Sequence, residues 1–188
     1  MKQCKRIMLI SCVYLFGFIT MYGNTSTLQY WNFNNNIDLN SLLTPSISLV
    51  SGASLQFTPG GTSAIDVAGG TGQNFSVLNQ NARNGDISGT HLRVNNPIGS
   101  ELIFNVPSTG YKDIRVSFAT RRSGSGAGLQ YWAYSIDGTN YIGIDTVVVL
   151  DADPVLRQIN LSLINALDNN PNVKIRVQFA QGDRKSVV

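Results

Sequence analysis

The chain has 188 residues, with 14 Lys and Arg against 11 Asp and Glu, two cysteines and one histidine. Both cysteines (Cys4, Cys12) and three of the basic residues (Lys2, Lys5, Arg6) fall in the first 12 positions, so the remainder is thiol-free and carries eleven basic and eleven acidic side chains. That remainder excludes thiol catalysis, Cys-ligated zinc, iron–sulfur clusters and multi-histidine metal sites, and its even charge removes the basic footprint of a nucleic-acid binder.

The N-terminus is the first element. Lys2, Lys5 and Arg6 precede an apolar run from Ile7 to Ile19, and small and polar residues follow (Thr20, Gly23, Asn24, Thr25, Ser26). A positive start, an apolar middle and a small-residue exit are the signature of a secretory signal peptide, here residues 1–25. The run is shorter than the roughly 20 residues of a spanning helix, and no basic stop-transfer cluster follows. A Leu9-Ile10-Ser11-Cys12 string has a faint lipoprotein character, but cleavage before Cys12 would leave Val13 to Ile19 stranded on the mature chain. The expected product is secreted, extracellular or at the cell surface, with no membrane attachment after cleavage. About 160 residues remain, enough to bury a core without disulfides.

Beyond the signal the chain is rich in Asn, Gly, Ser and Thr, and period-two alternation replaces any helical period. Strands are predicted over 28–33, 54–58, 75–78, 91–94, 101–106, 114–119, 129–136, 141–149, 156–162 and 173–179. The clearest are Ile114-Arg115-Val116-Ser117-Phe118 and Val173-Lys174-Ile175-Arg176-Val177-Gln178-Phe179, whose arginines should face solvent or a ligand. Residues 59–72, rich in Gly and Thr, are predicted to be a surface loop. Asn95-Asn96-Pro97 and Val106-Pro107-Ser108-Thr109-Gly110 read as turns. Asp137-Gly138 between two strand patterns is a strong hairpin signal, and residues 163–170 read as one short helical turn. Many short strands joined by turns predict a single all-β domain over 28–188, a two-sheet antiparallel β-sandwich of jelly-roll type.

Four strings carry a resemblance: Leu28-Gln29-Tyr30-Trp31-Asn32-Phe33-Asn34; Asn81-Ala82-Arg83 with Gly85-Asp86; Gly89-Thr90-His91-Leu92-Arg93-Val94-Asn95-Asn96-Pro97; and Tyr131 to Tyr141 with its Tyr134-Ser135-Ile136-Asp137-Gly138-Thr139-Asn140-Tyr141 end. In this order they resemble the extracellular jelly-roll modules of exported Bacteroidetes-type proteins, whose fold is similar to galactose-binding-like and carbohydrate-binding modules. The resemblance implies a fold more than a ligand. It implies a non-catalytic module that binds polysaccharide, a cell-surface glycan or another surface ligand. The alternative is a purely structural or adhesive accessory domain of a larger exported hydrolase or nuclease. Such modules usually continue past a string like Gln181-Gly182-Asp183 to a last strand; here Arg184-Lys185-Ser186-Val187-Val188 follows, so a truncated product lacking that strand is expected.

Candidate chemistry is sparse. Arg121-Arg122-Ser123-Gly124-Ser125-Gly126-Ala127-Gly128 lacks the Lys-Ser/Thr and helix of a phosphate loop; it reads as a loop between strands or, at the end of a sandwich, as a ligand loop with Arg121 or Arg122 as donors. His91 has no nucleophile elbow to serve and reads as a solvent-facing strand residue. Glu101 is the only glutamate, so no carboxylate pair for glycoside hydrolysis stands out, and the domain is read as not an enzyme. Asp145, Asp151 and Asp153 offer oxygen donors for a structural calcium, or form a plain Asp-Pro turn; no other cofactor is expected. Within Gln130-Tyr131-Trp132-Ala133-Tyr134 the alternation places Trp132 and Tyr134 together, as core, and Tyr131 on the opposite face. Tyr131 is therefore the candidate sugar platform, with Arg115, Arg121 and Arg122 as partners if their strands are neighbours.

Overall fold

The computed structural model describes residues 25–34, 38–68, 91–150 and 153–182. Residues 1–24 of the signal segment, the strand predicted at 75–78, Asp151 and the final Arg184 to Val188 string lie outside these residues. The regular structure of the described chain is almost entirely antiparallel β, with one short helix and one 3-10 turn. It runs β1 (Gln29–Tyr30), α1 (Leu39–Leu43), β2 (Ile47–Ser48), β3 (Ser54–Thr58), β4 (Ala64–Ala68), β5 (His91–Asn95), β6 (Glu101–Asn105), β7 (Arg115–Thr120), β8 (Leu129–Ser135), β9 (Ile142–Val148), β10 (Val155–Asn160), a 3-10 turn (Asn165–Leu167) and β11 (Lys174–Ala180). Among the described residues no helix is long and apolar enough to cross a membrane.

The largest sheet has five strands in the order β3-β6-β11-β8-β9. β11 is central because its alternating sequence serves two partners at once, Val177 facing Leu102 of β6 on one side and Trp132 of β8 on the other. One face of this sheet is apolar: Leu55, Leu102, Trp132, Ile175 and Val177 are all at most 6% exposed. Two further antiparallel pairs, β7 with β10 and β4 with β5, bring Val116, Phe118, Ile159, Ile65, Leu92 and Val94 to the same core. Phe118 of β7 stacks on Trp132 of β8, with ring centroids 4.1 Å apart. Period-two alternation thus does here what it must in any half-buried strand: one set of side chains goes inward and the other outward.

Two turns explain how the strands connect. Asp137-Gly138 closes the β8–β9 hairpin, with Gly138 at φ +80°, a backbone region that costs glycine little. At the other, Gly60 just past β3 lies against the β5–β6 turn so closely that a Cβ on it would stand 2.3 Å from the carbonyl carbon and oxygen of Gly99. The obstacle is backbone, so it cannot rotate away. Gly60→Ala is expected to lower unfolding stability by about 1–3 kcal/mol, as overpacking does; an unchanged urea midpoint would show that the two turns do not meet this closely.

The fold corrects the predicted elements in three places. The stretch 59–72 is not wholly loop, since Ala64–Ala68 forms β4, held to β5 by a two-point Arg93–Asp66 ion pair with contacts of 2.9 and 2.8 Å. Its flanking glycines mask a short alternation, Ile65-Asp66-Val67. The helix α1 is a single turn too short to display a period, capped by the Asp38 carboxylate accepting from the Ser41 N–H at 2.8 Å. The two-residue β2, paired with β1, is likewise below the length at which alternation is visible.

Candidate functional site

The outward face of the five-stranded sheet carries a row of polar side chains. Register aligns Thr58, Glu101, Gln178, Tyr131 and Thr146 in one row, one residue from each strand. With neighbouring strands about 4.8 Å apart, the row spans about 19 Å. Every member is a hydrogen-bonding side chain, and Tyr131, at 42% exposure, is the exposed ring within it. Leu129 and Val148 pair beside Tyr131 on the same face, and Val148 is itself 49% exposed. Ala133 and Gly143 pair on its other side, and a Cβ at Gly143 would meet nothing within 4 Å.

A charged cluster underlies the middle of the row. Glu101 Oε1 accepts from Gln178 Nε2 at 2.6 Å and lies 3.7 Å from Arg176 Nη1. The Arg176 guanidinium is also stacked over the Tyr141 ring, 4.2 Å from its centroid. Glu101 and Arg176 are only 19% and 26% exposed, so they are partly desolvated and mutually oriented. Burial pushes the Tyr141 phenol above its ordinary pKa. Tyr141 therefore has one ring face occupied by Arg176, and Tyr131 is the better platform.

The hairpin turn that delivers Tyr141 is tightly organised. The Asp137 carboxylate accepts from Asn140 Nδ2 (2.6 Å), the Asn140 N–H (2.7 Å), the Thr139 N–H (2.8 Å) and the Ser135 hydroxyl (3.0 Å). These bonds, the Asn140 side chain first, hold its pKa far below the ordinary carboxylate range. The unfolded value is about 3.9, so the stabilisation is complete above that pH and is lost as pH falls toward the lower folded value. Asp137→Ala is expected to lower the urea midpoint at pH 7 and to reduce the further loss between pH 5 and pH 2. Asp66, lowered chiefly by its Arg93 hydrogen bond, retains its own share of that acid sensitivity. An acid slope unchanged by Asp137→Ala would refute the assignment.

The residues singled out from the sequence do not converge. Tyr131 is outward, opposite the core-facing Trp132 and Tyr134, but β8 pairs with β11 and β9 and not with β7. Arg115 pairs with Asn160 on the exposed side of the β7–β10 ladder, on the far side of the Phe118–Trp132 contact from Tyr131. Arg121 and Arg122 are half-buried in the β7–β8 connection, Arg121 within electrostatic reach of His91 and Arg122 against Gly128. None of the three arginines belongs to the row. His91 is half-buried, not solvent-facing; burial and the nearby Arg121 and Arg93 lower its pKa. Asp145 accepts from the Thr146 N–H at 2.7 Å and Asp153 is exposed, and among the described residues no group of three or more His, Cys, Asp or Glu is placed to hold a metal ion. The cross-strand neighbours Tyr131 does have, Gln178 and Thr146, are hidden in the sequence because only register brings them together, and the same register sets Glu101 one strand beyond Gln178. The outward phase of Lys174, Arg176 and Gln178 was the one available signal.

No known protein family, curated protein or solved structure matches the chain.

Proposed function

We propose that the domain is a secreted, non-catalytic module, a two-sheet sandwich of jelly-roll type, that binds extracellular carbohydrate across the outward face of its five-stranded sheet. The stacking of Phe118 on Trp132, together with the shared core of the β7–β10 pair and the large sheet, supports the two-layer reading. The observation that carries the function is the register row Thr146–Tyr131–Gln178–Glu101–Thr58. It sets an exposed ring beside fixed donors and acceptors along a line crossing every strand. A pyranose ring is apolar on its faces and hydroxylated on its rim, so it is matched by an aromatic plane flanked by polar groups. A row about 19 Å long suits a run of a linear polysaccharide better than a single sugar. Gln178 and Glu101 are already hydrogen-bonded to each other, which fixes them before a ligand arrives and lowers the ordering cost of binding.

The test is retention of the purified chain on a panel of insoluble polysaccharides and a glycan array. Retention on at least one, competed by its soluble fragments, is expected. Failure on every glycan would favour the structural accessory reading.

A further inference from the structure

We infer that the inner side of β8 binds a buried water molecule, bridging the Trp132 indole N–H and the Gln130 side-chain carbonyl. Trp132 and Gln130 are 5% and 7% exposed. Trp132 Nε1 and Gln130 Oε1 are each sealed from solvent, and neither has a hydrogen-bond partner among the described residues. Leaving such groups unsatisfied costs a large part of a domain's net stability.

Their positions are fixed independently. Gln130 Nε2 donates to Thr120 Oγ1 of β7 at 2.9 Å, while Phe118, two residues earlier on the same face of β7, stacks on the Trp132 ring. Both orphan atoms therefore belong to side chains held against one short segment of β7. Gln130 and Trp132 are two positions apart on one strand, so their Cα atoms stand roughly 6.7 Å apart and their side chains rise side by side on the same face.

The chemistry selects the ligand. Trp132 offers only a donor and the Gln130 oxygen only an acceptor. An anion would satisfy the first and a cation the second. Water does both, accepting from the indole and donating to the carbonyl, and internal waters are held by buried polar groups that lack a protein partner. Tyr131 lies between these two residues and points to the opposite face, so the water would sit directly behind the exposed ring.

A crystal structure of the full chain tests this. The expected result is an ordered water within hydrogen-bonding distance of both Trp132 Nε1 and Gln130 Oε1. A direct Trp132–Gln130 hydrogen bond, or no density between them, would overturn it. In solution, the chain has two tryptophans, and the Trp132 indole proton should show a cross-peak to water with opposite signs in NOE and ROE spectra. Gln130→Met, which removes the acceptor, should weaken that cross-peak several-fold; an undiminished cross-peak would also overturn the proposal. Should Gln130→Met fail to fold, the crystal structure of the unsubstituted chain decides.

Discussion

Replacing Trp132 with alanine is expected to lower the free energy of unfolding by about 3–5 kcal/mol. The indole is 5% exposed and sits on β8 opposite Val177 of the central strand. Its ring lies nearly parallel to that of Phe118, at 26° and 4.1 Å, so it belongs to the five-stranded sheet and to the β7–β10 ladder at once. Alanine would remove the transfer free energy of the largest side-chain type and leave a cavity. That cavity can close only if β7 moves, and β7 is tied to β10 through a six-residue register. The stacked aromatic pair adds about 0.5–1.5 kcal/mol to the area term. Against a net stability of about 5–15 kcal/mol for an ordinary domain, the loss is large enough to reduce the soluble folded fraction. Trp132→Phe should cost much less, because it keeps a ring against Phe118. Urea denaturation followed by circular dichroism measures both. A loss below about 1.5 kcal/mol for Trp132→Ala would mean that the two strand systems are not coupled at this point.

This coupling also marks what could be read from the sequence. The alternation in Lys174-Ile175-Arg176-Val177-Gln178-Phe179 gave β11 and its inward face, and the Gln130 to Tyr134 phase correctly separated Trp132 from Tyr131. Both follow from local geometry, since successive side chains must point to opposite faces. The Asp137-Gly138 turn was legible for the same reason, its conformation being set by neighbouring residues. Pairing was not legible. Gln178 meets Glu101 across 77 residues of chain, and nothing in either segment specifies the other as partner. For that reason the outward phase of Tyr131 is legible in the sequence and its companions are not. Arg115 is close to it in sequence but belongs to a strand that pairs with β10, and Arg121 lies in the connection that follows that strand. Very short elements are illegible for a different reason: α1 spans five residues and β2 two, too few for either pattern to repeat twice, and their stability comes from caps and tertiary contacts.

Alternation gives every strand of the large sheet two unlike faces, and the outward one is where the remaining prediction is made. Tyr131→Ala is expected to weaken retention on the recognised polysaccharide by at least roughly 20-fold, the loss of about 2 kcal/mol that marks an aromatic hot spot. The ring is 42% exposed and its neighbours on the sheet face include Gln178 and Thr146. Its removal deletes the apolar plane and leaves the polar line intact. Because the side chain is outside the core, its cross-strand contacts are worth about 1 kcal/mol at most, so the urea midpoint should move little. The pairing of a large binding loss with a small stability loss separates a binding role from a structural one. Tyr131→Phe keeps the plane and should retain most of the binding, whereas Glu101→Ala keeps the plane but releases Gln178 and Arg176 and should weaken retention through the polar line. Equal retention by Tyr131→Ala and the unsubstituted chain would remove this face from consideration as the glycan site, even if the domain still binds carbohydrate elsewhere.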